Sequence, residues 1–144
     1  MRLRTIYPVA FAAAMTLAAC GQQKTAASGI EARPPAPAYT DITAAQLHDM
    51  MQKKDFLLIN VHIPYAGDIP GTDASIPYDQ IAARVDRLPA DKASKVVVYC
   101  RSGNMSKTAS ATLASMGYTN VYNVAGGMRA WTDAGYSLEQ RGRP

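Results

Sequence analysis

Two cysteines and two histidines in 144 residues exclude several kinds of protein at once. A disulfide framework needs pairs of thiols, and if Cys20 is acylated, as its context below implies, Cys100 has no partner. No second His or Cys lies close in sequence to His62, Asp68 or Asp73 to complete a metal site. The chain has no Gly-Lys-Ser/Thr for a nucleotide phosphate, no internal repeat and no apolar run long enough to span a bilayer as a helix. Neither a metal nor another cofactor is therefore expected. An excess of positive charge is also missing where it would count. Arg2, Arg4, Lys24 and Arg33 precede Tyr39, as does Glu31, so from Tyr39 onward 11 Lys and Arg face 10 Asp and Glu. That balance gives no support for nucleic-acid binding.

What the chain does have begins with a basic Met1-Arg2-Leu3-Arg4, an uncharged apolar stretch over residues 9–19, and Leu17-Ala18-Ala19-Cys20. The pattern is that of an export signal. It resembles a bacterial lipoprotein signal, which implies that Cys20 becomes the lipidated first residue. Gly21, where an Asp would favour inner-membrane retention, implies an outer-membrane anchor facing the periplasm. The alternative is an ordinary signal peptide with Cys20 an incidental thiol. Acyl chains on one residue tether a protein without spanning the membrane. Residues 22–38 are rich in Ala, Gln, Ser and Pro and poor in large apolar side chains, the composition of a flexible tether. The expected organisation is a signal over residues 1–19, a lipidated cysteine and tether over 20–38, and one domain over 39–144.

Within that domain, Thr43 and Gln46 have the spacing of a capping box, and Leu47, Met50 and Met51 continue it as a helix to about residue 53. Phe56-Leu57-Leu58-Ile59-Asn60-Val61 is apolar enough for a central parallel strand. Ile81, Val85 and Leu88 share one helical face, which predicts an amphipathic helix over residues 79–88 stopped by Pro89. A strand over 96–100, a helix over 106–116 closed at Gly117, a strand over 120–124 and a helix over 128–134 complete the domain. Strands alternating with helices predict an α/β fold.

The most informative stretch is Val96-Val97-Val98-Tyr99-Cys100-Arg101-Ser102-Gly103-Asn104-Met105-Ser106-Lys107, a β-branched run, a short polar loop and the start of a helix. Main-chain N–H groups of such a loop and first helical turn converge on one spot and favour negative charge there. A cysteine at that spot becomes thiolate near neutral pH, the nucleophilic form. Gly103 permits the tight turn, and Arg101 and Lys107 add positive charge.

Cys100-Arg101-Ser102-Gly103-Asn104-Met105-Ser106 resembles the active-site loop of rhodanese-like sulfurtransferases, and the likeness extends over residues 39–139. The resemblance implies a doubly wound parallel sheet with helices on both faces. It also implies transfer of a sulfane sulfur from a donor such as thiosulfate, through a persulfide on Cys100, to a thiol or cyanide acceptor. Arg101, Ser102, Gly103, Asn104, Met105 and Ser106 are the implied substrate-binding residues. Met105 stands where the family often has a polar side chain, so it offers only its main-chain N–H. Ile69-Pro70-Gly71, Ile76-Pro77 and Gly126-Gly127-Met128-Arg129-Ala130-Trp131 also match the family, with Trp131 expected as a core anchor. The family's usual Asp-x-Arg appears here as Asn60-Val61-His62, and the following segment differs in length. His62 is read as a strand-end residue hydrogen-bonded to backbone, with a general acid or base as the alternative. Asp68 and Asp73 are read as solvated loop carboxylates.

Two other activities are compatible with an anion-binding cysteine loop. Phosphatase or arsenate-reductase chemistry needs an Arg after five intervening residues, where this chain has Ser106, and so lacks bidentate support for the equatorial oxygens. A tethered sulfur carrier, or a module that docks an exported partner protein, would keep the loop with little turnover.

Overall fold

A computed structural model describes residues 38–141. The expected features of residues 1–37, including Cys20, lie outside the described residues. Five strands form one parallel sheet: β1 (Thr40–Ile42), β2 (Leu57–Asn60), β3 (Ala74–Ser75), β4 (Val96–Tyr99) and β5 (Val121–Val124), in the order β1-β5-β4-β2-β3. Three helices accompany them, α1 (Ala44–Met51) after β1, α2 (Asn104–Ser115) between β4 and β5, and α3 (Gly127–Asp133) after β5. The family-implied α/β arrangement, with apolar packing on both sheet faces, is what the structure shows. No described helix is long and apolar enough to cross a membrane.

Period-two alternation along β4 divides the core. Val96, Val98 and Cys100 join Ile59, Val61, Ile81, Ala109 and Leu113 on the α2 side. Val97 and Tyr99 join Leu47, Leu58, Ile69, Met128 and Trp131 on the side of α1 and α3. All four β4 residues are inaccessible to solvent, which is why this strand is an unbroken apolar run. Trp131 is 3 % exposed and donates its indole N–H to Ser137 O at 2.9 Å, as a core anchor with a polar edge requires.

The capping box of α1 is present, with Gln46 N donating to Thr43 Oγ1 at 3.1 Å and Thr43 N donating to Gln46 Oε1 at 2.8 Å. Other boundaries depart from expectation. The helix expected over 79–88 is instead two single 3-10 turns, Ile81–Ala83 and Val85–Arg87. Ile81 and Leu88 are buried but Val85 is 51 % exposed. Two anchoring side chains bury too little surface to hold a helix of that length, and Arg84, at φ −114° and ψ 41°, interrupts it. The α2 helix starts at Asn104, not Ser106, because Gly103 at φ +99° turns the chain directly into it. The two-residue edge strand β3 was not anticipated.

Candidate active site

Cys100 lies at the C-terminal end of β4, and alternation sends its side chain toward α2. The loop folds back on the sulfur. Gly103 N donates to Cys100 Sγ at 3.0 Å, and Ser106 Oγ, in the first turn of α2, lies 3.6 Å from the same atom. The one Ser106 hydroxyl proton is shared between that sulfur and Gly103 O, which lies 3.1 Å from Oγ. A Cβ on Gly103 would sit 3.1 Å from Gly126 N, and the positive φ there already disfavours any L side chain. Across the loop, Met128 N donates to Cys100 O at 2.9 Å and Arg129 N to Arg101 O at 3.0 Å. A Cβ at Gly127 would lie 2.0 Å from Cys100 O, so only glycine permits this close approach.

Burial pushes the Cys100 thiol up, but the Ser106 hydroxyl and the main-chain N–H groups of Ser106, Ser102 and Gly103 outweigh it. The net result is a thiol more acidic than an ordinary cysteine. The residue is only 1 % exposed, so the sulfur is held away from bulk water. Of the residues predicted to bind substrate, Gly103 and Ser106 are buried against the sulfur, and Met105 is half-buried against the apolar cluster that includes Cys100. Arg101, Ser102 and Asn104 are exposed on the loop.

The end of β2 is built differently from expectation. Val61 N donates to Tyr99 O at 2.9 Å, which sets the residues after β2 alongside the start of the cysteine loop. His62 is not tied to backbone through its ring: its main-chain N–H donates to Asn60 Oδ1 at 3.0 Å, whereas the buried Nδ1 has no hydrogen-bond partner. Burial, then the positive charge of Arg101, pull its pKa below the ordinary histidine value, which keeps the ring neutral at physiological pH.

Asp68 is likewise no solvated loop carboxylate. It is 4 % exposed and accepts from Asn60 Nδ2 at 2.9 Å, Tyr65 OH at 2.9 Å and Tyr99 OH at 3.2 Å. Tyr99 OH in turn accepts from Ile69 N at 3.0 Å and lies 2.6 Å from Thr72 Oγ1. Burial pushes the Tyr99 hydroxyl far above its ordinary pKa, so it stays a neutral donor. Asp73 is the exposed residue of the pair, capping Leu58 N at 2.8 Å and pairing with Lys54 Nζ at 2.5 Å. No group of three or more possible metal-ligating side chains occurs among the described residues.

Comparison with known proteins agrees with this construction. The model of the rhodanese-like domain family matches residues 41–134. A sulfurtransferase from Allochromatium vinosum is 38 % identical over 88 residues, covering 59 % of this chain and 79 % of that protein. A tRNA uridine(34) hydroxylase from Hamiltonella defensa is 33 % identical over 115 residues, covering 74 % of this chain; the match spans only 32 % of that longer protein. Among solved structures, a rhodanese-like domain protein from Staphylococcus aureus superposes with a TM-score of 0.60 at 27 % identity, covering 72 % of this chain and 99 % of that one. With a thiol cradled between a parallel strand and a helix, and with the family pattern running through most of the described residues, this chain belongs to the rhodanese-like domain family.

Proposed function

We propose that the protein is a sulfurtransferase that moves one sulfane sulfur through a persulfide on Cys100, from a donor such as thiosulfate to a thiol or cyanide. The observation that carries this reading is the pair of donors on Sγ, Gly103 N at 3.0 Å and Ser106 Oγ at 3.6 Å. The same groups that stabilise a thiolate also stabilise the persulfide anion that replaces it. In the first half-reaction the Cys100 thiolate attacks the outer sulfur of thiosulfate, the S–S bond of the donor breaks, and sulfite leaves with the electron pair. In the second, the acceptor takes the outer sulfur and Cys100 departs as thiolate. Both steps are nucleophilic displacements at sulfur, so ping-pong kinetics are expected.

The loop residues divide the work by position. Gly103 and Ser106 hold the sulfur, the main-chain N–H of Ser102 adds to the cradle, and Arg101 supplies positive charge for an anionic donor. Asn104 and Met105 open α2 beside the cradle, Asn104 exposed and Met105 half-buried against the apolar cluster that includes Cys100. Because Cys100 is 1 % exposed, a slender donor that presents its sulfur end-on is favoured over a bulky one. The same burial favours a second reading, a sulfur carrier that loads once and discharges slowly. We further propose, from the sequence of residues 1–20, that the domain is exported and held by acyl chains on Cys20 to the periplasmic side of the outer membrane.

Intact-mass measurement before and after thiosulfate tests the proposal. The wild-type chain is expected to gain one sulfur and to lose it to cyanide or a thiol, and Cys100→Ser to gain none. An adduct that persists in Cys100→Ser would overturn the assignment, and stoichiometric loading with slow discharge would mark the carrier.

A further inference from the structure

We propose that the aromatic groove between the C-terminal ends of α1 and α3 is the docking site of the chain's own proline segment, Pro34–Pro37, bound as a polyproline II helix. The groove has a volume of about 420 Å³, and its walls include His48, Met51 and Gln52 at the end of α1, Trp131 and Tyr136 at the end of α3, and Pro70. Ligand clefts run from about 300 to about 1,000 Å³, so it is large enough to hold several residues of an extended chain.

The lining identifies the kind of occupant. His48 and Tyr136 stack with ring centroids 4.4 Å apart and planes 6° from parallel, and Trp131 lies against Tyr136 at 4.5 Å, tilted by 41°. No Lys, Arg, Asp or Glu lines the groove, so it gives a charged ligand no anchor. A proline-rich segment is uncharged and already stiff, and it docks in aromatic-lined grooves at small entropic cost. Its carbonyls have no internal hydrogen bonds. Gln52, exposed, and Tyr136, half-buried, bring the amide and hydroxyl donors that such carbonyls take.

The chain supplies that segment in the right place. Three of its nine prolines fall in Pro34-Pro35-Ala36-Pro37, directly before Ala38, where the described chain begins and leads into β1. Helices that connect parallel strands run back against them, so the ends of α1 and α3 lie at the end of the sheet where β1 starts. Thr40 pairs with Tyr122, and Tyr122 packs on the same apolar cluster as Met51, Trp131 and Tyr136. The start of β1 therefore lies beside the face that carries the groove. Strand order puts three spacings between β1 and β2, about 14 Å. As polyproline II, Pro34–Pro37 spans about 12 Å, and Ala38 and Tyr39 supply the rest. Cys100 follows the opposite end of β4, so a segment docked here leaves the sulfur's loop uncovered.

The test uses the full chain, in which Trp131 is the only tryptophan and reports on the groove. Pro34→Ser, Pro35→Ser and Pro37→Ser combined are expected to shift the Trp131 emission and the His48 ring resonances, and an added peptide of residues 32–38 to restore both. The tethered segment has a local concentration on the order of 1 mM, so the same peptide should bind the wild-type chain about tenfold more weakly than the triple variant. His48→Ala, which removes one ring of the stack, is expected to weaken peptide binding while melting stays cooperative, and a peptide with serines in place of prolines is expected not to bind. Equal peptide affinity for the wild type and the triple variant would overturn docking within the chain. A wild-type dimer that the triple variant dissociates would overturn it too, because the occupant would be a second copy. Unchanged Trp131 and His48 signals in the triple variant, with no peptide binding, would reject the groove itself.

Discussion

At Cys100 Sγ two effects of opposite sign meet. Burial works against charge, and four hydrogen-bonding groups of the loop and α2 work for it; the donors prevail. Ser106 is the donor open to side-chain replacement. Its hydroxyl lies 3.6 Å from the sulfur, so Ser106→Ala removes one contact and leaves the main-chain donors in place. A hydrogen bond to a charged group contributes about 1.5 kcal/mol or more, roughly a factor of ten. The variant is expected to load from thiosulfate about tenfold more slowly at neutral pH, with the alkaline limb of the rate profile recovered. The sign follows from the lowered pKa: thiolate persists as pH falls below the ordinary thiol range and is lost on passing the folded value, and Ser106→Ala moves that loss to higher pH. Alkylation of the thiol against pH measures the midpoint. An unmoved midpoint would show that the main chain alone sets the acidity.

Between elements, the loop depends on α3 as much as on α2. Gly127 lets the start of α3 lie against the Cys100 carbonyl, where a Cβ would come within 2.0 Å. Gly127→Ala is expected to cost on the order of 3 kcal/mol from overpacking and a positive φ. It should also displace the carbonyls of Cys100 and Arg101 and slow sulfur loading; thermal melting and loading rate measured together check this. The glycine pair was visible in the sequence as part of a family-like segment, but not the carbonyl it approaches, because that partner is 27 residues away. The same distinction runs through the rest of the molecule. The β4 run, the capping box at Thr43 and the cysteine loop were legible because each is a local pattern with a physical cause. Residues 79–88 misled because Ile81, Val85 and Leu88 have helical spacing, while the fold needs only Ile81 and Leu88 inward. Asp68 was misread because its burial depends on Tyr65, Tyr99 and Asn60, which converge only when β2, β4 and their loops are assembled.

For the whole domain, the polar network around Asp68 joins segments far apart in the chain. Asp68 and Glu139 exchange main-chain hydrogen bonds at 2.8 and 2.7 Å. Arg141 N donates to Tyr65 OH at 3.0 Å, and the Arg141 guanidinium reaches Thr72 O. Asn60, at the end of β2, is the neutral member that lets this network close: its Nδ2 donates to Gly67 O at 3.0 Å and to Asp68 Oδ1 at 2.9 Å, while its Oδ1 accepts from His62 N. Asn60→Asp would replace that donor by an oxygen facing two acceptors inside the protein. Two carboxyl groups so close cannot both ionise, so the pKa of the new carboxyl in the folded state is raised above its unfolded value of about 3.9. The penalty is then small below that unfolded value, grows as pH rises toward the folded pKa and is constant above it. At neutral pH the loss is expected to be about 3 kcal/mol. Melting of the wild type and Asn60→Asp between about pH 4 and about pH 8 should show a difference in Tm that narrows on acidification, whereas a difference independent of pH would mean that the two side chains share no proton.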